Sequence, residues 1–367
     1  MESLLIVGIT CSLLLSLLIL AKKNKSFADR IFFTWQVALI LHFSFLYVRY
    51  ASLYLDYPHL LALDTSLGLL HIPLLFIYVH TLTNEKHLAW KHLVLHLLPF
   101  LVVNILLGVS FYFLSAEAKI AIYTEALQSR KVSITDALII CQSMIYFPIA
   151  FQLLGKYNRQ IQEKFSTIDE INLRWLQKVS VAFAIGFGLK IVFNLLVFTG
   201  VTLAVEFEEA TVVVFCFLLL FLGYHGIKST TIFNQPGPEI KKDVIHRYAK
   251  SGLNDVDLIR HIKQVEEYMK SQKPYLNDDL TLAQLAKEVN LSPNNLSQII
   301  NQGLKKSFYD FVNEYRVLEV KEKLGSEEYK HIKLLAIAFE SGFKSKSTFN
   351  AFFKKTVGQT PSEFKDS

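Results

Sequence analysis

Cysteine is scarce in this chain. Cys11, Cys141 and Cys216 are the three among 367 residues, each inside an apolar run, so a disulfide framework is excluded. Glycine (15) and proline (9) are also few, and charged side chains amount to 19%, below the roughly 25% of ordinary soluble proteins. Together with a mean hydropathy of +0.33, that low charge excludes a disordered chain and argues against a wholly soluble one. No Gly-rich phosphate loop, nucleophile elbow or kinase-type signature is present, so the chain reads as no enzyme and implies no cofactor.

What is present is unevenly spread. Length alone suggests about two domains. Residues 1–228 hold 31 charged side chains (17 basic, 14 acidic), whereas the shorter stretch 229–367 holds 39 (21 basic, 18 acidic). Each part nets +3 of the total +6. A membrane half therefore precedes a water-soluble half. A spanning helix needs roughly 20 mostly apolar residues, because the hydrocarbon core is ~30 Å thick and a helix rises ~1.5 Å per residue. Seven stretches qualify: 3–21, 31–55, 60–82, 92–114, 134–154, 176–200 and 209–227. The first is not expected to be a signal peptide. Its leader, Met1-Glu2, has no basic residue, and no small-residue cleavage site precedes Lys22-Lys23-Asn24-Lys25.

Loop charges set the expected orientation. Loop 1–2 carries Lys22, Lys23, Lys25 and Arg30; loop 3–4 carries Lys86 and Lys91; loop 5–6 carries Lys156, Arg159, Lys164 and Arg174. The alternate loops offer Lys119, Arg130 and Lys131, and the 6–7 loop is acidic through Glu206, Glu208 and Glu209. Basic loops stay in the cytoplasm, so the N-terminus is expected outside and the C-terminal half inside.

Charges within spans are expensive and mark candidate sites. Lys190 in span 6 and Asp64 in span 3 fall at a similar depth in the outer half, with Arg49 of span 2 nearer the outer face. An Asp64–Lys190 pair is the expectation, with Arg49 as the competing partner, serving either as a structural polar lock or as a ligand or ion site. Histidines crowd residues 42–96, and His92 and His96 stand four apart on one helix face. One such pair is a weak metal signal, and an interfacial position accounts for it as well, so no metal site is assigned.

After span 7, Asn234-Gln235-Pro236-Gly237-Pro238 must break any helix. The basic residues Lys241, Lys242, Arg247 and Lys250 suit an anionic inner leaflet. Residues 254–271 then read as an amphipathic helix. Leu258, Ile262, Val265 and Met269 form one apolar stripe that either docks on the following domain or pairs with a second subunit as a homodimer.

Residues 281–302, TLAQLAKEVNLSPNNLSQIINQ, are more specific. Leu282, Leu285, Ala286 and Val289 mark the buried face of a short helix. Asn290-Leu291-Ser292 makes a turn, and Ser292 with Pro293 starts a second helix. In it Leu296, Ile299 and Ile300 face inward, while Asn294, Ser297, Gln298 and Asn301 form an outward polar stripe. This is the layout of a helix-turn-helix, and Asn and Gln suit base-edge hydrogen bonds. The pattern recurs in 333–357, KLLAIAFESGFKSKSTFNAFFKKTV. Phe349, Phe352 and Phe353 face inward there, and Lys346, Ser347, Asn350 and Lys354 face outward. Lys344, Lys346, Lys354 and Lys355 make a basic patch suited to phosphates. Between the two motifs, 308–324 reads as one helix of roughly 25 Å.

Residues 275–367 resemble the DNA-binding domain of the AraC family of bacterial transcription regulators. The resemblance rests on LAKEVNLSPNNLS, on Lys306-Ser307-Phe308 with Arg316, and above all on Ile337-Ala338-Phe339-Glu340-Ser341-Gly342-Phe343, SKSTFNAFFKK and Gly358-Gln359-Thr360-Pro361-Ser362-Glu363-Phe364. Ile300 stands where the family usually has Phe, Val320 where its linker helix usually has Ala, and Ala351 at an outward position that is often polar. Residues 248–276 resemble the family more loosely. The resemblance implies double-stranded DNA as a partner and a bacterial cytoplasmic membrane as the location. The whole reads as all-α: a seven-helix transmembrane sensor domain (1–228), a linker and signalling helix (229–274), and an AraC-type domain with two helix-turn-helix motifs (275–367). The expected function is a membrane-embedded one-component transcription regulator answering an unidentified small-molecule or membrane signal. The alternative is a transporter or channel with a fused regulatory domain, although no inverted repeat or Gly/Pro-broken helix pair is visible.

Overall fold

The computed structural model describes residues 1–84, 88–129, 133–199, 212, 214–218, 221 and 255–366. Among them every regular element is helical, and the β-type pairing is an isolated antiparallel bridge between Phe165 and Thr281. Two compact units emerge. One comprises Met1–Gly155 and Leu173–Gly237; the other comprises Lys156–Asn172 and Pro238–Ser367.

In the first unit the helices are α1 (Glu2–Ala21), α2 (Phe27–Tyr50), α3 (Leu63–Thr83), α4 (Trp90–Leu107), α5 (Ala116–Ser129), α6 (Ile134–Lys164) and α7 (Arg174–Phe198). Six helical stretches among the described residues are long and apolar enough to cross a membrane: Glu2–Ala21, Phe27–Tyr50, Pro58–Thr83, Lys91–Tyr112, Ile134–Lys164 and Arg174–Leu196. The seventh expected span, 209–227, lies outside the described residues except at 212, 214–218 and 221, which are helical. The expected break at 234–238 and the basic stretch at 241–250 lie outside them altogether.

Local chemistry explains where these helices begin. Ser26 starts α2 with a capping box, its hydroxyl accepting from the Asp29 amide while the Asp29 carboxylate accepts from the Ser26 amide. Lys22 closes the turn onto Asp29 at 2.8 Å. Both ends of the α1–α2 connection are thus tied by one carboxylate, which also suits the positive end of the helix dipole. The interior is aromatic: Trp35 packs on Phe183 at 5.7 Å, and Phe183 meets Phe215 edge-on at 4.8 Å. His42 and His71 stack at 4.9 Å and share a 2.7 Å hydrogen bond. The outward face is apolar as well, with Leu13, Leu17 and Leu20 of α1 and Leu95, Ile105 and Leu106 of α4 exposed.

The structure corrects the expected charge pairing. Asp64 pairs with Arg49 at 3.4 Å, and Lys190 pairs with Asp136 at 2.5 Å. The Asp64–Lys190 pair does not form. Arg49 lies in the last turn of α2 and Asp64 in the first turn of α3, so each charge also complements the dipole of its own helix. Lys119, expected as a loop charge, is 1% exposed; its Nζ lies 3.0 Å from His59 Nδ1 and over the Phe111 ring. His96 engages the Tyr146 hydroxyl at 2.7 Å, while His92 is exposed.

The second unit holds α8 (Asp255–Gln272), α9 (Leu282–Glu288), α10 (Pro293–Gln298, continued by a π-helical turn over Ile299–Gly303), α11 (Phe308–Leu324), α12 (Leu334–Glu340), α13 (Lys346–Val357) and α14 (Pro361–Asp366). Val265 and Met269 of α8 are buried with Tyr275, Leu285, Leu296, Phe308 and Val312 in one core, so docking on the domain accounts for the α8 apolar stripe. Further along, Val317 and Val320 of α11 are buried, as are Ile337, Phe343, Phe349 and Phe353. Ile300 and Val320, the two apolar departures from the family pattern, are both fully enclosed.

A close contact in the first unit yields a stability prediction. A Cβ on Gly8 would stand 2.6 Å from Phe43 Cε2, and Phe43 is a buried ring in α2. Gly8→Ala should therefore destabilise the first unit by about 1–3 kcal/mol through overpacking. Thermal melting of the detergent-purified chain checks this, and an unchanged midpoint would refute it.

Candidate nucleic-acid interface

Two helix pairs share one local design. In the first, Thr281 starts α9 with a capping box through Gln284, and Ser292 starts α10 by accepting from the Asn295 amide. Between them Asn290 takes φ 54° and the Leu291 amide reaches back to Ala286 O at 2.8 Å. In the second pair Gly342 takes φ 89°, the Phe343 amide reaches back to Ala338 O at 3.1 Å, and Ser345 starts α13 by accepting from the Thr348 amide. Asn and Gly are the residues that tolerate this left-handed backbone. Both turns therefore swing the following helix the same way, and the chain repeats one supersecondary unit.

The first outward stripe is only partly as expected. Asn294, Gln298 and Asn301 are half-buried, whereas Ser297 is 3% exposed. Ser297 precedes Ile300 by three residues and so shares its inward face. Its hydroxyl accepts from Asn301 Nδ2 at 3.1 Å and orients that amide. The π-turn over Ile299–Gly303 adds a residue to the turn, so side chains beyond 299 rotate off the 3.6-residue stripe. Gln302 is exposed and bonded to Gln298 at 3.0 Å. Its place beside the stripe was not legible from regular helix spacing.

On α13, Lys346, Ser347, Asn350 and Lys354 are all exposed, as expected, and so is Ala351. The basic patch is smaller than the sequence suggested. Lys344 pairs with Asp279 at 3.1 Å, which raises its pKa. Lys355 pairs with Asp310 at 2.8 Å and lies over the Phe352 ring. Burial pushes the Asp310 carboxyl up, but hydrogen bonds from Lys355 and Ser307 outweigh it and hold the group below the ordinary carboxylate range. Lys346 and Lys354 are exposed cations of α13, and Lys355, exposed too, is engaged by Asp310.

Arg316, at the middle of α11, ties the stretch between α8 and α9 to that helix. It is 1% exposed. Nε donates to Tyr275 O at 2.8 Å, Nη1 to Asn313 Oδ1 at 3.2 Å, and Nη2 to Asn277 O at 2.8 Å. Further bonds run to Ser166 and Thr167, residues that no motif had singled out. Burial brings the guanidinium pKa down to about 10, so it remains charged at neutral pH. Gly342 sits directly against this knot, where a Cβ would fall 2.1 Å from Tyr275 O and 2.9 Å from Arg316 Nε.

A family model for a helix-turn-helix domain matches residues 285–367.

The match supports an AraC-type DNA-binding domain. It covers α10 to α14 entire and the end of α9. No curated protein and no solved structure matches the chain.

Gly342→Ala should destabilise the second unit by at least about 2 kcal/mol, since it combines a disfavoured φ with a backbone clash. Chemical denaturation followed at the second unit's tyrosines checks this. Gly325→Ala, where a Cβ would meet nothing closer than 3.6 Å, serves as the tolerated control.

Proposed function

We propose that this chain is a membrane-embedded one-component transcription regulator. Its AraC-type domain (275–367) reads double-stranded DNA in the cytoplasm through two helix-turn-helix motifs. A seven-span domain (1–228) meets the signal, and 229–274 joins the two. The observation that carries this reading is the family match, which spans the second helix pair and the reading helix of the first.

The geometry supports it in three respects. The reading helices α10 and α13 are joined by α11, a rod of about 25 Å, which suits two helices set near one DNA turn apart, ~34 Å. Asn294, Gln298 and Asn301 of α10 and Ser347 and Asn350 of α13 are hydrogen-bonding side chains of the kind that read base edges. Ser297 acts through Asn301 rather than on DNA, and Lys346 and Lys354 supply phosphate contacts. On the membrane side, six long apolar helices with exposed leucines and isoleucines support residence in a bilayer. The ten Lys and Arg of loops 1–2, 3–4 and 5–6 support an inside location for the DNA-binding domain. Net charge over 275–367 is only +1, so non-specific attraction to DNA is weak and affinity depends on the specific contacts.

Coupling between the halves is assigned to α8. A Cβ on Gly303, in the π-turn that ends the first reading helix, would stand 2.7 Å from Ile262 Cδ1. A shift of α8 must therefore move that turn. Any stimulus acts by favouring one packing over the other, since equal affinity for both shifts nothing.

Genome-wide occupancy by the full-length protein tests the reading: discrete sites sharing one sequence motif support it, and a flat profile overturns it. Lys354→Ala should weaken binding evenly across sequences and lower the salt slope by about one, whereas Asn350→Ala should relax preference at one base position. Ile262→Pro should leave occupancy sites recognisable but abolish the response to the stimulus, read by transcript levels with and without it.

A further inference from the structure

Residues 165–170 lie between α6 and α7 in sequence, yet they fold as part of the unit that carries the helix pairs. The attachment is specific. Phe165 bridges Thr281, and the Ser166 amide donates to Leu280 O at 3.1 Å. Ser166 O accepts from Asn313 Nδ2 and Arg316 Nη1, and its hydroxyl accepts from Arg316 Nη2 at 3.0 Å. Thr167 Oγ1 donates to Asp278 O at 2.5 Å. Ser166 and Ile168 are buried.

The segment ends on the second reading helix. Thr348 Oγ1, in the first turn of α13, donates to Asp169 Oδ1 at 2.7 Å, while Asp169 Oδ2 is buried without a hydrogen-bond partner. Glu170 follows and is exposed, and its charge contributes, after the Asp279 hydrogen bond, to the raised pKa of Lys344. A carboxylate therefore occupies the N-terminal turn of the reading helix. That is the end which enters the major groove in a helix-turn-helix, and the end whose dipole and N–H groups favour an anion. Duplex DNA, itself a polyanion, would meet Asp169 and Glu170 there.

We propose that residues 165–170 form an autoinhibitory clasp that must leave α13 before DNA can seat. The inference rests on the DNA-binding reading above. The release is chemically feasible because Arg316 does not depend on the clasp. With 165–170 withdrawn, Nε keeps Tyr275 O, Nη1 keeps Asn313 Oδ1 and Nη2 keeps Asn277 O. The freed groups of Ser166, Thr167 and Asp169 are polar and pass to water. The segment is continuous in sequence with α6 and α7, so it is a second covalent link between the halves beside the one that runs through α8.

The test uses the full chain in phosphatidylcholine nanodiscs and a labelled mixed-sequence duplex of about 40 base pairs. Asp169→Asn with Glu170→Gln should bind about tenfold more tightly than the unmodified chain. Glu327→Gln with Glu328→Gln removes the same net charge from an exposed turn elsewhere and should change affinity by less than about twofold. Equal gains in the two variants would overturn the clasp, since charge alone would then explain the effect. Hydrogen exchange gives a second readout. The Ser166 amide should be protected in the free chain and exchange faster with saturating duplex; unchanged protection would overturn the clasp. Absence of duplex binding by every variant at low salt would instead overturn the DNA-binding reading itself.

Discussion

The second unit is organised around a single buried cation. A guanidinium carries five donors in a rigid planar fork, and one that is taken out of water needs an acceptor for each nitrogen. Arg316 meets that demand with main-chain carbonyls from the 275–278 stretch and a side chain one turn away on its own helix. The fork fixes where those carbonyls stand, so the chain between α8 and α9 must curl around the middle of α11. It also fixes what can approach from the other side: only a residue without Cβ fits at 342. One side chain therefore ties the 275–278 stretch to the middle of α11 and limits what fits at 342. Each such bond is worth only about 1–3 kcal/mol net, but several together are comparable with the ~5–15 kcal/mol that holds a typical domain folded.

Charge is handled differently in the first unit. Arg49, Asp64, Asp136 and Lys190 are each paired with a neighbour of opposite sign, as an apolar surrounding requires. Three of the four sit at helix ends, where the macrodipole adds to the pairing. Lys119 is held against Nδ1 of His59 and the face of Phe111. These arrangements suit a bundle whose outward face is leucine and isoleucine and whose interior is aromatic.

Much of this was legible in the sequence because the signals are local. Ser292 is a capping residue read within four positions of what it caps, and the structure has its hydroxyl bonded to the amide three residues on, as it has for Ser307 and Ser345. The apolar periods of 282–300 and 333–353 gave the buried faces. What escaped depends on rotation or on distance along the chain. Hydropathy reports how deep Asp64 and Lys190 lie but not which way each helix turns them, so the partner Asp136 was missed. Regular spacing cannot reveal a π-turn, and Asn301 and Gln302 moved accordingly. The stretch Phe165-Ser166-Thr167-Ile168-Asp169 is a short polar connection with no pattern of its own, and its partners lie more than a hundred positions further on.

That last feature makes the domain discontinuous in sequence. A protein cut between the apolar and polar halves would look like a tidy separation, since the family match falls wholly on one side. It would nevertheless leave behind a strand-like piece of the polar unit, exposing Asn313 and the outer edge of the Arg316 fork to water. On the clasp proposal such a fragment is permanently unlatched: it would report the intrinsic affinity of the helices proposed to read DNA and be blind to control. Genetic screens for signal-independent alleles should accordingly find them among the codons between α6 and α7, in a region that a domain diagram drawn from sequence would colour as membrane.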